Sequence, residues 1–302
     1  MVTLTRTPPG GSGHGRLRRS AGRAPGGRPL RRAAAALAAV AVLVPTAVSC
    51  AVGTSILDKE TLVVGVKADQ PALGVKASDG RYSGFDVDVA TYIAGRLGKP
   101  VRFVTAPSAQ REKMIKNGTV DLVVASYSIT AERKTKVAFG GPYYVAHQDT
   151  LVRSGESGVS NVRDLRGRKL CQVTGSNSWK RVKEERKIPV DLVPAASYSE
   201  CVEDLRSGKV DAVSTDDLIL TGFATSGTKI VNAPFSDERY GIGIRTGDVD
   251  GCEAVNKAIT EMYQDGTAKK LLQKWFARSG LALTFTVPQF EGCAEAASAE
   301  AE

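Results

Sequence analysis

Two histidines, His14 and His147, and five cysteines with no Cys-x-x-Cys spacing leave little for metal or nucleophilic chemistry. A structural zinc site needs clustered thiolates and imidazoles, and a nucleophile needs a base beside it. Neither is readable. No catalytic residue, metal ligand or cofactor is assigned, and His147 is read as structural. What remains are fixed charges after apolar runs: Lys67 after Thr61–Val66, Arg133 after Val120–Ala125 and Asp216 after Val210–Ser214. Such groups hold charge rather than transfer atoms. The planar fork of an arginine takes a carboxylate through two parallel hydrogen bonds, which lysine cannot do. Thr174-Gly-Ser-Asn-Ser178 precedes a polar helix, and free N–H groups at a helix start attract anions. Each residue has a plainer reading beside this one. Arg133 belongs to a Thr130-Ala-Glu-Arg turn, Lys67 suits a surface chain, and Asn177 suits a helix cap.

The elements that must position these residues form a repeat. Strand Thr61–Val66, a helix striped by Phe85, Val89, Ile93 and Leu97, strand Val101–Thr105, a helix capped by Ser108 and ending at Asn117, and strand Val120–Ala125 read as β-α-β-α-β. The order returns as strand Arg168–Val173, helix 177–187, strand Val190–Pro194, helix 198–207 and strand Val210–Ser214. Gly118-Thr-Val-Asp-Leu-Val123 and Gly208-Lys-Val-Asp-Ala-Val213 match ninety residues apart, and Asp216 lies the same ninety residues after Ser126. Asp217 competes with Asp216 for the strand-end role, one of the two capping the next helix. Two α/β lobes of similar topology follow. Pro142–Val152 and Arg239–Ile244 cross between them, so lobe 1 is discontinuous, and two helices striped by Cys252/Val255/Ile259/Met262 and Ala268/Leu271/Leu272/Trp275 close it. The expected boundaries are 61–145 for the first part of lobe 1, 146–240 for lobe 2 and 241–293 for the return, with a disordered tail over 294–302.

The formal charge is +9, but residues 1–49 carry eight Arg and no Lys, Asp or Glu. Subtracting those eight from +9 leaves residues 50–302 at about +1, too little for a nucleic-acid footprint. The Arg-rich stretch precedes the apolar run Ala33–Val44, then Pro45 and small residues, the order of an export signal over 1–49; a signal-anchor helix is the alternative. Cys50 stands where bacterial lipoprotein signals place a lipid-bearing cysteine, ahead of a tether over 50–60. That arrangement puts the chain outside the cytoplasm, anchored to the outer face of the membrane through Cys50. Ala47-x-Ser49 also suits an ordinary signal peptidase.

Gly84-Phe-Asp-Val-Asp-Val-Ala90, Ser128-Ile-Thr-Ala-Glu-Arg133, Phe139-Gly-Gly-Pro-Tyr-Tyr144, Gly175-Ser-Asn-Ser178 and Val210-Asp-Ala-Val-Ser-Thr-Asp216 resemble the polar-amino-acid solute-binding proteins of ABC importers. Gly65-Val-Lys-Ala-Asp-Gln-Pro-Ala-Leu-Gly74 resembles the opening loop of the glutamate-binding lipoproteins of Gram-positive bacteria. The likeness covers residues 60–280. It implies a two-lobed, type II periplasmic-binding-protein-like α/β fold, each lobe a mostly parallel sheet flanked by helices, with a two-strand hinge. It also implies an amino-acid ligand held between closing lobes and delivered to a permease. Receptor ectodomains and dehydratase-like enzymes on this fold are the rival classes.

On that resemblance Arg133 takes the α-carboxylate and Asp216 the α-ammonium. Ser126 and Ser128 supply an acceptor and a donor, Ser176 and Asn177 share the carboxylate, and Lys67 takes a side-chain carboxylate, favouring glutamate. Many relatives carry Gly at the position of Ser126. A monomer is expected. Of the three pairings open to Cys171, Cys201, Cys252 and Cys293, Cys171–Cys201 and Cys252–Cys293 each stay within one lobe, and a bridge between lobes would block a hinge.

Overall fold

The computed structural model describes residues 55–293. The export signal, Cys50 and the 294–302 tail lie outside them. Strand β1 (Leu62–Val66) leads into a flap of three short strands, β2 (Asp69–Gln70), β3 (Gly74–Lys76) and β4 (Tyr82–Ser83), and then helix α1 (Phe85–Arg96). Strand β5 (Val101–Thr105), helix α2 (Arg111–Lys116), strand β6 (Leu122–Val123) and a single turn, α3 (Ala131–Lys134), complete this part of lobe 1. Strand β7 (Ala138–Arg153) carries the chain into lobe 2, built from β8 (Lys169–Val173), α4 (Ser178–Lys180), β9 (Asp191–Ala195), α5 (Tyr198–Ser207), β10 (Val213–Asp216), α6 (Asp217–Phe223) and β11 (Thr228–Ile230). Strand β12 (Ser236–Ile244) returns to lobe 1, where α7 (Val249–Gln264) and α8 (Thr267–Phe276) follow.

The two crossing segments are paired strands. One seven-stranded sheet runs β10-β7-β12-β6-β1-β5, with β11 also on β7. In lobe 1, β1 pairs parallel with β5 and β6. In lobe 2, β8 and β9 pair parallel, and Leu170 bridges Ala212 in the same sense. Strands β7 and β12 run antiparallel from Ser236↔Gln148 to Ile244↔Ala138, with one irregularity between Tyr240 and Ile242. Parallel strands joined by helices place their carboxyl ends on one edge, the edge where open α/β sheets hold ligands.

Apolar periodicity explains the packing. Phe85, Val89 and Ile93 on α1 and Val255, Ile259 and Met262 on α7 are buried in one large core that also takes Leu62, Val64 and Val66 of β1. A second cluster of Val152, Leu165, Leu170, Val182 and Ala212 sits under lobe 2, and a third holds Ile115, Val123, Tyr127 and Phe139. The disulfides are Cys171–Cys201 and Cys252–Cys293.

Several expectations need correction. The expected strand Val120–Ala125 is ordered as a strand only over Leu122–Val123, although Val124 N–H still reaches Gly65 O at 2.9 Å. Ser108 does not cap α2. It begins a 3-10 turn, and its hydroxyl instead accepts from Lys67. The expected helix 177–187 is a three-residue α-turn continued by a wider π-turn over Arg181–Glu185, which keeps Val182 buried. The described end of the expected tether is docked: Ser55 Oγ and Ile56 N–H both donate to the Asp248 carboxylate, at 2.6 and 2.8 Å, and Ile56 is buried.

Candidate functional site

Ser126, Ser128, Ser176, Asn177 and Asp216 line one narrow slit between the lobes. It is flanked by two wider cavities, one lined by Arg133 and Thr174, the other by Lys67, Asp69 and Gln70. The seven residues expected to hold a ligand therefore fall along this slit and the two cavities beside it, Arg133 in one and Lys67 in the other. Lobe 1 supplies them from the carboxyl ends of β1 and β6 and from α3, while lobe 2 supplies them from the ends of β8 and β10.

Arg133 is buried, its guanidinium donating to Ser128 O at 2.7 Å and, across the cleft, to Gly175 O at 3.1 Å. Thr130 Oγ1 accepts from the Arg133 backbone N–H, so the local cap exists while the side chain is free to reach the cleft. Lys67 is only 4% exposed, with its ammonium 2.6 Å from Ser108 Oγ. It is not a surface chain. Burial and the nearby Arg111 push its pKa well down, with Asp69 opposing. On lobe 2, Asp216 Oδ2 accepts from Tyr240 OH at 2.7 Å, and Oδ1 is buried without a hydrogen-bond partner among the described residues. Burial first, and then the neighbouring Glu238, raise the Asp216 pKa well above the carboxylate range. A buried acceptor left half-satisfied is costly, so Asp216 is set up to take a donor. Asp217 turns away, its Oδ1 accepting from His147 N–H and Leu218 N–H. The His147 ring faces Asp237 on the surface.

Ser126 sits at φ +43°, in the left-handed region that favours glycine. Its N–H donates to Asp86 Oδ2 at 2.8 Å and its hydroxyl to Gln70 Oε1 at 2.9 Å. The helix-start expectation for Ser176 and Asn177 fares less simply. Ser178 N–H is taken by Ser176 Oγ, which also shares a hydrogen bond with Tyr198 OH at 2.6 Å, and Asn177 Nδ2 donates to Glu238.

Sequence reasoning missed Arg111 as a cleft cation beside Lys67 and Arg133. Arg111 is 2% exposed and lines the slit. It donates to Ala125 O, Ser126 O and, across the cleft, Gly175 O at 3.0 Å. Arg111 and Arg133 both lie against the Tyr127 ring, at 4.2 and 4.9 Å from its centroid. Burial and the second guanidinium lower the Arg111 pKa to about 10. The available signal was its i, i+4 relation to Ile115, which places an arginine on the inward stripe of α2. Asp86 was also missed. It is fully buried between Ser126 N–H and Tyr143 OH, and burial raises its pKa to about 6. Among the described residues no group of three or more His, Cys, Asp or Glu could hold a metal ion.

The arrangement holds positive charge on lobe 1 and a half-satisfied acid on lobe 2. Known proteins resemble the chain. The chain is 40% identical over 233 residues to the glutamate-binding protein GluB of Corynebacterium glutamicum, covering 72% of this chain and 78% of that one. It is 35% identical to the ABC transporter glutamine-binding protein GlnH of Bacillus subtilis, over 73% and 83% of the two chains. An ancestral arginine-binding protein, solved bound to arginine, superposes with a TM-score of 0.68 at 37% identity, covering 72% of this chain and 99% of that one. With residues 62–278 matching the family model, the chain belongs to the bacterial extracellular solute-binding proteins, family 3.

Proposed function

We propose that this protein captures glutamate in the cleft and releases it to an ABC permease. Lobe 1 is taken as residues 61–145 and 241–293 and lobe 2 as 146–240. The observation that carries the reading is the charge layout of the slit. Arg111 lines the slit with Asp216, and Lys67 and Arg133 line the two cavities that flank it. All three cations are buried, and Asp216 Oδ1 has no partner among the described residues. Glutamate presents two carboxylates and one ammonium, the complement of that layout. Arg133 takes the α-carboxylate, Asp216 Oδ1 the ammonium, and Lys67 with Arg111 the side-chain carboxylate. The 40% identity to a protein named for glutamate binding supports the same ligand.

No step of bond chemistry is assigned. Lys67 and Asp216 are given binding roles. Ligand recovered unchanged after incubation would separate this reading from the dehydratase-like alternative, for which Asp69, with Oδ2 buried and unpartnered among the described residues, is the acid to watch. Lipid attachment at Cys50 would hold the protein beside its permease, and a monomer suffices for capture. Titration calorimetry with glutamate, glutamine, aspartate and asparagine tests the reading. Glutamate should bind tightest, and a protein that prefers glutamine would sink the assignment.

A further inference from the structure

Across the cleft the two lobes meet backbone to backbone at two glycines of lobe 2. A Cβ on Gly222, within α6, would lie 2.4 Å from the Pro71 carbonyl oxygen and 3.0 Å from its carbon. Pro71 belongs to the loop between β2 and β3 of the lobe 1 flap, and the obstructing atoms are main chain. Beside this contact, Ser199 Oγ on α5 donates to Asp69 O of the same flap at 2.8 Å. At the other contact, a Cβ on Gly175 would lie 2.5 Å from Ala109 N and Cα, and Gly175 O receives both Arg111 and Arg133. We infer that Gly222 and Gly175 are bearing points that set how closely the lobes approach, and so whether Asp216 and the lobe 1 cations can grip one ligand together. This rests on the cleft being the ligand site.

The two positions differ in a way that makes one a clean probe. Gly175 has φ +80°, so any side chain there strains the loop whatever the lobes do. Gly222 has no such φ, and alanine is the better helix former. Gly222→Ala therefore favours its own lobe and obstructs only the inter-lobe contact. Ligand shifts an open–closed equilibrium only through contacts that differ between the states. Holding the lobes apart removes at least one charged hydrogen bond, an affinity loss of at least about tenfold.

The experiment compares wild type, Gly222→Ala and Gly95→Ala by calorimetry, small-angle scattering and thermal melting. Gly95 lies in α1 with open space around its Cβ position. The expected result is a wild type and a Gly95→Ala variant that bind and compact alike. Gly222→Ala should melt no lower than wild type, bind at least about tenfold more weakly and compact less at saturation. Wild-type affinity and compaction in Gly222→Ala would overturn the proposal, as would a weakened variant that melts well below wild type. If wild type ignores glutamate, that failure belongs to the ligand reading. The same comparison is then made with whichever of glutamine, aspartate or arginine compacts wild type, and it decides the glycine proposal on the same criteria.

Discussion

At the scale of single residues the cleft is a problem of buried charge. Lys67, Arg111 and Arg133 are satisfied by neutral oxygens of Ser108, Ala125, Ser128 and Gly175, apart from Glu112, 3.7 Å from Arg133 Nε. A carboxylate would compensate them better, because hydrogen bonds between charged groups contribute about 1.5–3 kcal/mol. Lys67→Met keeps much of the stem and removes the charge, so it should weaken glutamate about ten- to a hundredfold and glutamine little. A glutamate/glutamine ratio unchanged by that substitution, in calorimetry, would show that Arg111 alone sets the preference. Arg133→Met should abolish both ligands, since both present the α-carboxylate. Acid has two opposed effects. The raised pKa of Asp216 means that the ammonium acceptor is neutralised at a higher pH than an ordinary carboxylate, so glutamate affinity should fall as pH is lowered. Asp216→Asn should bind weakly with little pH dependence. For the unliganded protein the sign reverses. Asp86, raised to about 6, binds its proton more tightly folded than unfolded, so its contribution to stability grows as pH falls from about 6 towards 4.5, and Asp216 acts in the same direction. Below that, Glu132, held at about 2 by Lys180 and Lys136, loses its ion pairs and works the other way. Urea midpoints against pH, with and without glutamate, would separate the two effects.

At the scale of elements, legibility follows how much of a segment's burial is local. Helices α1, α7 and α8 carry their apolar stripes in the letters, and the repeated Gly-x-Val-Asp-x-Val turn marks the same helix-to-strand junction in both lobes. The flap β2–β4 was not legible, because two- and three-residue strands lack a period and are held by pairing to one another. Nor was the π-turn after α4, where Val182 enters the lobe 2 core while Arg181 pairs with Glu185 and Glu238. The charge positions at strand ends were readable since topology puts them there. Arg111 was hidden, because a helix start of Arg-Glu-Lys letters looks like a solvated surface until its neighbours are known. The disulfides act at this scale. Cys171–Cys201 ties β8 to α5, and Cys252–Cys293 ties α7 to the segment whose Glu291 pairs with Lys134 and Arg239. With sequence separations of 30 and 41, each should contribute about 3.5–4 kcal/mol by loop-closure entropy. Replacing either pair by alanine should lower urea stability by about that amount, and a loss below about 1 kcal/mol would mean that folded packing already supplies the restraint.

For the whole molecule, the question is how two lobes sharing one sheet can open. Strands β7 and β12 are paired across the passage, so motion has to bend and twist that ribbon rather than swing on loose linkers. The register of the ribbon shifts once, between Tyr240 and Ile242. There Tyr143 and Tyr240 lie with ring centroids 5.9 Å apart, one hydroxyl on Asp86 of lobe 1 and the other on Asp216 of lobe 2. Bending at this point would change the distance between the two acids while each could keep its tyrosine. Arg111 and Arg133 donate across the cleft to Gly175 O and Ser199 Oγ donates to Asp69 O, while the exposed Lys180–Glu132 pair at 2.7 Å is screened by solvent and contributes little. On the proposed reading, a ligand touching Arg133 and Asp216 together would add to the preference for the closed form, because only there are both groups in reach. The radius of gyration should therefore fall when saturating glutamate is added, with added salt altering the change only slightly. A ligand bound by calorimetry with no compaction in scattering would mean that the lobes stand closed beforehand. The rate of binding would then be set by rare opening of the ribbon, and stopped-flow association rates would level off as glutamate concentration rises.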